Sequence, residues 1–297
     1  MYKYTAYGHK ILSDIAFEQF EKAEFDSEGD IRIHHYVEKE IKDILQEDYQ
    51  VSIRNKDIFY RNQVGFFEAR NGKEIFFEEY PGCSLTEAKE FVMGNTFALL
   101  FYEKDMNVIH GAAVRIGDKT IIVSGDSGAG KSTVTSKLIR EGARLITDDQ
   151  SVIYVKDNVP MLLPGYPAQK LCVDAADRND LNIDNLVKVD DQKNKYAVSR
   201  KENFYSEVSK VDAVIFLQKH KEGEEVIAKK IGGAEKVNMF TRYLFLFPFF
   251  QTAVMLPTDL MLQCVRISSL IDIYTVSRKE NVNTESKIYS FIENQIL

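Results

Sequence analysis

Between Lys119 and Thr133 the chain reads KTIIVSGDSGAGKST, and no other stretch restricts the possible folds as tightly. Gly125, four intervening residues, Gly130, Lys131 and Ser132 satisfy the pattern G-x-x-x-x-G-K-[ST]. The residues before it, Thr120 to Val123, are a short β-branched run suited to a buried strand. Those after it run at helical spacing from Thr133 to Gly142, where glycine makes a natural C′ stop. A strand, a glycine loop and a helix in this order put the backbone N–H groups of Gly128 to Ser132 at a helix N-terminus, where the dipole favours an anion. Gly125, Asp126, Ser127, Gly128, Ala129, Gly130, Lys131, Ser132 and Thr133 are therefore expected to hold the phosphates of a nucleoside triphosphate, here taken as ATP. Lys131 adds a point charge on the outer phosphates, and Ser132 offers a hydroxyl to Mg²⁺.

Composition narrows the rest. With 297 residues, 44% of them hydrophobic, the chain can build one large domain or two smaller ones. A formal net charge of −7 argues against a nucleic-acid partner, which needs a basic face. Cys83, Cys172 and Cys264 lie far apart and form no C-x-x-C pair, so they read as reduced core residues of a cytoplasmic protein. The start, MYKYTAYGHK, has no apolar run of the signal-peptide kind. The most apolar segment, Leu244 to Leu256, contains Pro248 and is too short for a bilayer, so it is expected to be buried core, without membrane contact.

Taken in order, the first 83 residues read as β-rich. Tyr2 to Tyr7 and Asp30 to Val37 alternate as half-buried strands do. Gly65 to Arg70 and Lys73 to Glu79 flank Asn71-Gly72, a pair suited to the positive φ angles of a type I′ hairpin. His34 and His35 have no metal-ligand spacing and are expected to be solvated or hydrogen-bonded. Ser84-x-x-Glu87 is a capping box opening a helix to about Glu103, with Phe91, Val92, Asn95, Leu99 and Tyr102 on its core face. Met106 to Ile116 forms a hairpin with the P-loop strand through Gly117-Asp118. Ala143 to Thr147 is a strand ending in Asp148-Asp149, and Gln150 to Lys156 is another. Pro160 to Asp180 reads as an irregular, Pro-rich loop suited to substrate contact. Lys195 to Lys201 reads as an exposed strand, and Val211 to Leu217 as a central one. Two or three helices with a strand at Leu270 to Val276 close the chain.

Nucleotide-bound Mg²⁺ usually takes a carboxylate from a strand end near the P-loop, and Asp148 and Asp149 stand at such an end. One acid can hold the metal while the other accepts a proton from a substrate hydroxyl. Taken alone, Asp-Asp could simply open a turn, and His110 could simply be a hydrogen-bonded core residue.

Ile109-His110-Gly111-Ala112, Gly125 to Thr133 and Leu145 to Asp149 together resemble the catalytic domain of the HPr kinase/phosphorylase family, a P-loop branch akin to PEP carboxykinase. The resemblance implies that His110 lies by the transferring phosphate, that Asp148 is the base on the acceptor hydroxyl, and that Asp149 and Ser132 hold Mg²⁺. The family's downstream E-I-R-G-x-G signature is missing. Pro164 to Leu171 and the opening Tyr4-Thr5-Ala6-Tyr7-Gly8 look more like divergent members that phosphorylate lasso-peptide precursors. The family's phosphate-binding arginine has no motif here; Lys195, Arg200 and Lys201 are the candidates.

The expectation is thus an α/β fold with a PEP-carboxykinase-like P-loop core of the HPr kinase C-terminal-domain type (106–297). A β-rich N-terminal region with a bridging helix (1–105) precedes it. The expected activity is ATP- and Mg²⁺-dependent transfer, through Asp148, His110 and Lys131, to a serine of a peptide or small protein, a ribosomally made precursor peptide included. A small-molecule kinase, a nucleotide-binding regulator and a homo-oligomer stay open.

Overall fold

Ile121 and Val123 pack on one face of the P-loop strand and Ile122 on the other, and all three are fully buried. Such a strand needs a layer on both of its faces. The computed structural model, which describes residues 1–46, 50–54, 57–173, 186–190, 195–246 and 257–297, supplies both layers.

The N-terminal strands are β1 (Tyr2–Ala6), β2 (His9–Ser13), β3 (Glu21–Lys22), β4 (Ile31–His34), β5 (Val51–Arg54), β6 (Asp57–Arg61), β7 (Gly65–Arg70) and β8 (Glu74–Glu79). They make one sheet in the order β3-β1-β2-β4-β8-β7-β6-β5, flanked by the short helix α1 (Lys39–Ile44). The expected hairpin forms. Asn71 and Gly72 take φ of 55° and 62°, and Lys73 N donates to Arg70 O at 3.0 Å, as a type I′ turn requires. Helix α2 (Leu85–Phe91) begins where expected, Ser84 Oγ accepting from Glu87 N at 3.4 Å. A wide, π-type turn at Val92–Thr96 then leads into α3 (Phe97–Glu103). That turn resets the register, so Asn95 and Tyr102 are only half-buried, whereas Phe97 to Phe101 are all fully buried.

The second sheet contains β9 (Asn107–Ile116), β10 (Lys119–Gly125), β11 (Arg144–Thr147), β12 (Gln150–Lys156), β13 (Val159–Leu162), β17 (Ser209–Lys210), β18 (Ala213–His220), β19 (Val226–Lys230) and β20 (Asp272–Lys279). Its order is β17-β13-β12-β9-β10-β18-β20-β19, with β11 also paired to β9. The β9–β10 pair is an antiparallel hairpin, and β10, β18 and β20 run parallel. One face carries α4 (Lys131–Arg140) and α7 (Glu285–Gln295), through Val134, Leu138, Ile288 and Ile292. The other carries α3, α5 (Gly233–Arg242) and α6 (Thr258–Leu270), through Phe97, Phe240, Leu260 and Ile267. The protein is therefore a mixed α/β fold. The main apolar cluster runs from Tyr4, Ile11 and Phe67 to Val152, Phe216 and Ile273, joining residues on both sides of position 105.

Several expectations need correction. Pro160 to Asp180 is not one irregular loop, because β13 from Pro160 onward and all of β14 (Ala168–Cys172) fall in it; residues 174–180 are outside the described set. Pro160 fits a strand because it sits near the sheet's end and its carbonyl is used, by Val211 N at 2.9 Å. The strand expected to be exposed, β16 (Lys195–Ser199), is the middle of a three-stranded sheet between β14 and β15 (Val187–Asp190), and Val198 is buried. Of the three free cysteines only Cys264 is core; Cys83 is half-buried, and alternation turns Cys172 outward while Leu171 points in. Leu244 and Leu246 are buried as expected, and 247–256 lie outside the described residues. No helix among the described residues is long and apolar enough to cross a membrane.

Candidate functional site

The glycine loop leaves β10 at Gly125, where a Cβ would stand 2.1 Å from the carbonyl oxygen of Leu217 on β18, so no other residue fits. Asp126 N donates to that same oxygen at 3.1 Å and fixes the exit of the loop. Gly130, at φ 104°, turns the chain into α4. The first turn of α4 has neither an acidic residue nor a side-chain cap, which leaves its leading amides for an anion. Lys131 Nζ donates to Gly125 O at 2.8 Å and Asp126 O at 3.3 Å, so the ammonium lies over the start of the loop.

Three residues that sequence reasoning missed brace this loop. Arg278, near the end of β20, donates through Nε to Ala129 O at 2.6 Å and through Nη2 to Gly128 O at 3.1 Å. From the end of α5, the Tyr243 hydroxyl donates to Asp126 Oδ1 at 2.9 Å, and Arg242 Nη2 lies 3.3 Å from the same atom. Burial, followed by the Asp126 carboxylate, pushes the Tyr243 phenol up to about 12.

His110 lies on β9, between the P-loop strand and β12. Its carbonyl accepts from Ser124 Oγ at 2.8 Å, and its N–H donates to Tyr243 O at 2.9 Å. The side chain is 40% exposed, so it fills no core position, and Nδ1 stands 3.5 Å from Asp149 Oδ1. The two acids occupy the link from β11 to β12. Asp149 takes φ 67°, a conformation that costs a non-glycine residue energy and gathers at functional sites. The link is held by Gln150 N to Asp148 O at 2.7 Å, Gly111 N to Asp149 O at 3.1 Å, and Thr147 Oγ1 to Gln150 O at 2.8 Å. Behind it, the Tyr7 hydroxyl donates to Gln150 Oε1 at 3.2 Å and Gln150 Nε2 to Gly94 O at 2.5 Å. Burial, then the charges of Tyr166, Asp149 and Asp148, holds the Tyr7 phenol well above its ordinary value.

Lys170 on β14, in the stretch expected to contact substrate, was not foreseen beside the two acids. Its backbone N–H donates to Asp148 Oδ2 at 2.8 Å. Its ammonium lies 3.5 Å from Asp149 Oδ2 and 2.6 Å from Glu90 Oε2 on α2. Burial works against that charge, but Asp149, Tyr166 and Glu90 outweigh it and hold the Lys170 pKa well above the usual lysine range. Of the basic candidates, Arg200 grips Gln169 Oε1 with Nε and Nη2 at 3.0 and 2.8 Å. Burial lowers its pKa, with Asp148 acting in the opposite sense. Lys201 is exposed, and the backbone of Lys195 pairs with Cys172. His34 and His35 lie far along the other sheet, stacked on Phe76 and Phe77 and facing Glu74 and Glu79 at 3.4 and 2.7 Å.

Among the described residues no group of three or more His, Cys, Asp or Glu could hold a metal by itself. The expected donors, the Ser132 hydroxyl and the Asp149 carboxylate, suit Mg²⁺ that takes its other ligands from phosphates and water. The uncapped α4 terminus and the lysine at its start fit the nucleotide.

Residues 104–171 match the family described as HPr Serine kinase C-terminal domain. The HPr kinase/phosphorylase of Limosilactobacillus reuteri (strain DSM 20016) is 43% identical over 49 residues, 16% of this chain and 15% of that protein. The one from Streptococcus sanguinis (strain SK36) is 40% identical over 63 residues, 21% of this chain and 20% of the relative. The chain thus spans about a fifth or less of the curated relatives it matches. The solved Hpr(Ser) kinase/phosphatase from Coxiella burnetii aligns over 63% of this chain and 94% of that one, at 11% identity and a TM-score of 0.33, too slight a likeness to build on. Through residues 104–171, which carry the P-loop, His110 and both aspartates, this chain is similar to the HPr kinases.

Proposed function

We propose that this protein is an ATP- and Mg²⁺-dependent kinase that phosphorylates a hydroxyl, a serine of a peptide or small protein. The observation that carries the reading is the seating of His110. One side of its strand bonds to Ser124 of the P-loop strand, and its ring faces Asp149 at 3.5 Å. Phosphate-binding loop, imidazole and paired acids thereby share one end of the sheet. The name of the matched relatives, HPr kinase/phosphorylase, supports the same class of reaction.

Bound to the loop, Mg-ATP supplies the phosphoryl group and part of the charge neutralisation. The amides of Gly128 to Ser132 and the Lys131 ammonium hold the phosphates, and Ser132 and Asp149 hold the metal. Asp148 takes the proton of the acceptor hydroxyl as that oxygen bonds to the γ-phosphorus, whose bond to the bridging oxygen breaks to release ADP; the Lys170 N–H on Oδ2 fixes the carboxylate's orientation. His110, beside the reacting phosphate, offers a donor to charge that gathers in the transition state. A peptide serine is favoured over HPr as acceptor by the absent Gly-rich signature and by the different Pro164 to Leu171 segment. Such a kinase works in the cytoplasm, where ATP is supplied.

Radiolabelled ATP offered with purified HPr, free hydroxylated metabolites and the peptide encoded nearest the gene tests the reading. Label on the peptide alone is expected. Comparable transfer to HPr overturns the peptide assignment, label only on a metabolite makes this a small-molecule kinase, and no transfer to any acceptor removes the kinase reading.

A further inference from the structure

Lys170 stands where two acids from different parts of the chain compete for one ammonium. Glu90 comes from α2, in the N-terminal half, and Asp149 from the turn beside the P-loop strand; they lie 2.6 and 3.5 Å from Nζ. The lysine side chain is 15% exposed, so little water screens either pair. Its backbone is fixed independently, because its N–H is bound to Asp148 Oδ2 and β14 is paired to β16. Gln19 Nε2 steadies Glu90 from the other side, at 3.3 Å from Oε1.

We infer that Lys170 is a positioning residue that acts as a resident counter-cation for Asp149, and that Glu90 sets how much of its charge Asp149 feels. The inference rests on the proposed assignment of Asp149 as a metal ligand. A divalent cation arriving at Asp149 meets the Lys170 charge as a competitor. The closer bond to Glu90 draws that charge away and leaves the carboxylate available. The N-terminal half thereby tunes the metal affinity of a site to which it supplies no ligand.

The two neighbours should then act with opposite signs. Removing the competitor, Lys170→Met, should tighten divalent-cation binding. Removing the distraction, Glu90→Gln, should weaken it, because the lysine is left to Asp149 alone. A coupling of ordinary size corresponds to a change of about fivefold or more in each direction. Lys170→Arg, which keeps the charge, should stay near the wild type.

The experiment titrates the full chain, loaded with ADP, with Mn²⁺ and follows free Mn²⁺ by electron paramagnetic resonance, so that no turnover is needed. Asp149→Asn is run beside the other variants. Tighter binding in Lys170→Met with weaker binding in Glu90→Gln is the expected result. If Asp149→Asn weakens Mn²⁺ binding but Glu90→Gln does not, the counter-cation role is wrong while the metal assignment stands. If Asp149→Asn has no effect, the metal assignment itself fails and takes this inference with it. Should Lys170→Met not fold, the isosteric Glu90→Gln decides alone.

Discussion

Tyr243 holds Asp126 by a hydroxyl-to-carboxylate hydrogen bond of 2.9 Å, and its own carbonyl holds the N–H of His110 at the same distance. One residue at the end of α5 thus ties the phosphate loop to the strand that carries the imidazole. Tyr243→Phe keeps the carbonyl bond and the ring stacked on Phe216 at 4.8 Å but loses the grip on Asp126. It should cost about 1 kcal/mol, less than a bond to a charged group usually contributes because Asp126 is partly exposed. A fall in Tm of a few degrees, together with a several-fold loss of ATP affinity, is expected from thermal melts and calorimetry.

Lys131→Ala removes the ammonium that lies over Gly125 and Asp126. Its hydrogen bonds are to loop carbonyls at a half-buried position, so the fold should survive. Calorimetric titration should show Mg-ATP binding weakened or turnover abolished at an unchanged circular dichroism spectrum. Equal affinity with equal turnover would remove the phosphate assignment.

The two acids should separate. Asp148→Asn should lower kcat by about 10²-fold or more with little effect on nucleotide affinity, as loss of a general base does. Asp149→Asn should instead raise the Mg²⁺ concentration needed for half-maximal rate. Exchanged phenotypes would exchange the roles, and indifference of both variants would return the pair to a simple turn.

His110→Ala takes away a side chain that is 40% exposed, so its effect on stability should be small. Transfer should fall much further than Tm does. A variant that melts early but keeps its rate per folded molecule would make His110 a structural residue.

A pH effect is expected far from the site. Glu103 on α3 accepts from Gly72 N at 2.6 Å, yet burial, together with the charges of Asp57 and Glu68, pushes its carboxyl up to about 8. A carboxyl raised above its unfolded value binds its proton more tightly when folded. Stability therefore falls as pH rises from about 4.5 through about 8. Glu103→Gln can still accept from Gly72, so melts between pH 5 and 9 should show a flatter dependence than the wild type.

Where a single segment carried its own reasons, the sequence was easy to read. The strand–loop–helix around Gly125, the Asn71-Gly72 hairpin, the Ser84 cap and the β9–β10 hairpin each depend on residues within a few positions of one another. The braces of the site were not legible because they are pairwise facts across the fold. Arg278 meets Gly128 from 150 positions away, and Tyr243 meets Asp126 from 117. Alternation along β20 or helical spacing along α5 could rank these as side chains near an end, but no local pattern names their partners. Lys170 was read only as part of a substrate-contacting loop because three prolines precede it, whereas Pro164 and Pro167 merely lead into a short strand.

The five residues Val92–Thr96 place one residue more in a turn of helix than an α-helix would. Each residue of an α-helix advances about 100° around its axis, so the extra one sets the two halves out of phase. Before the wide turn Glu90 faces Lys170; after it Phe97 and Phe101 face Tyr7, and the Gly94 carbonyl, which accepts from Phe97 N–H, also receives Gln150. Chain length here is thus under tighter constraint than side-chain identity. Deleting half-buried Asn95 would heal the helix into a regular one and swing Glu90 about a quarter-turn off the lysine, a far larger change than any substitution at that position could make.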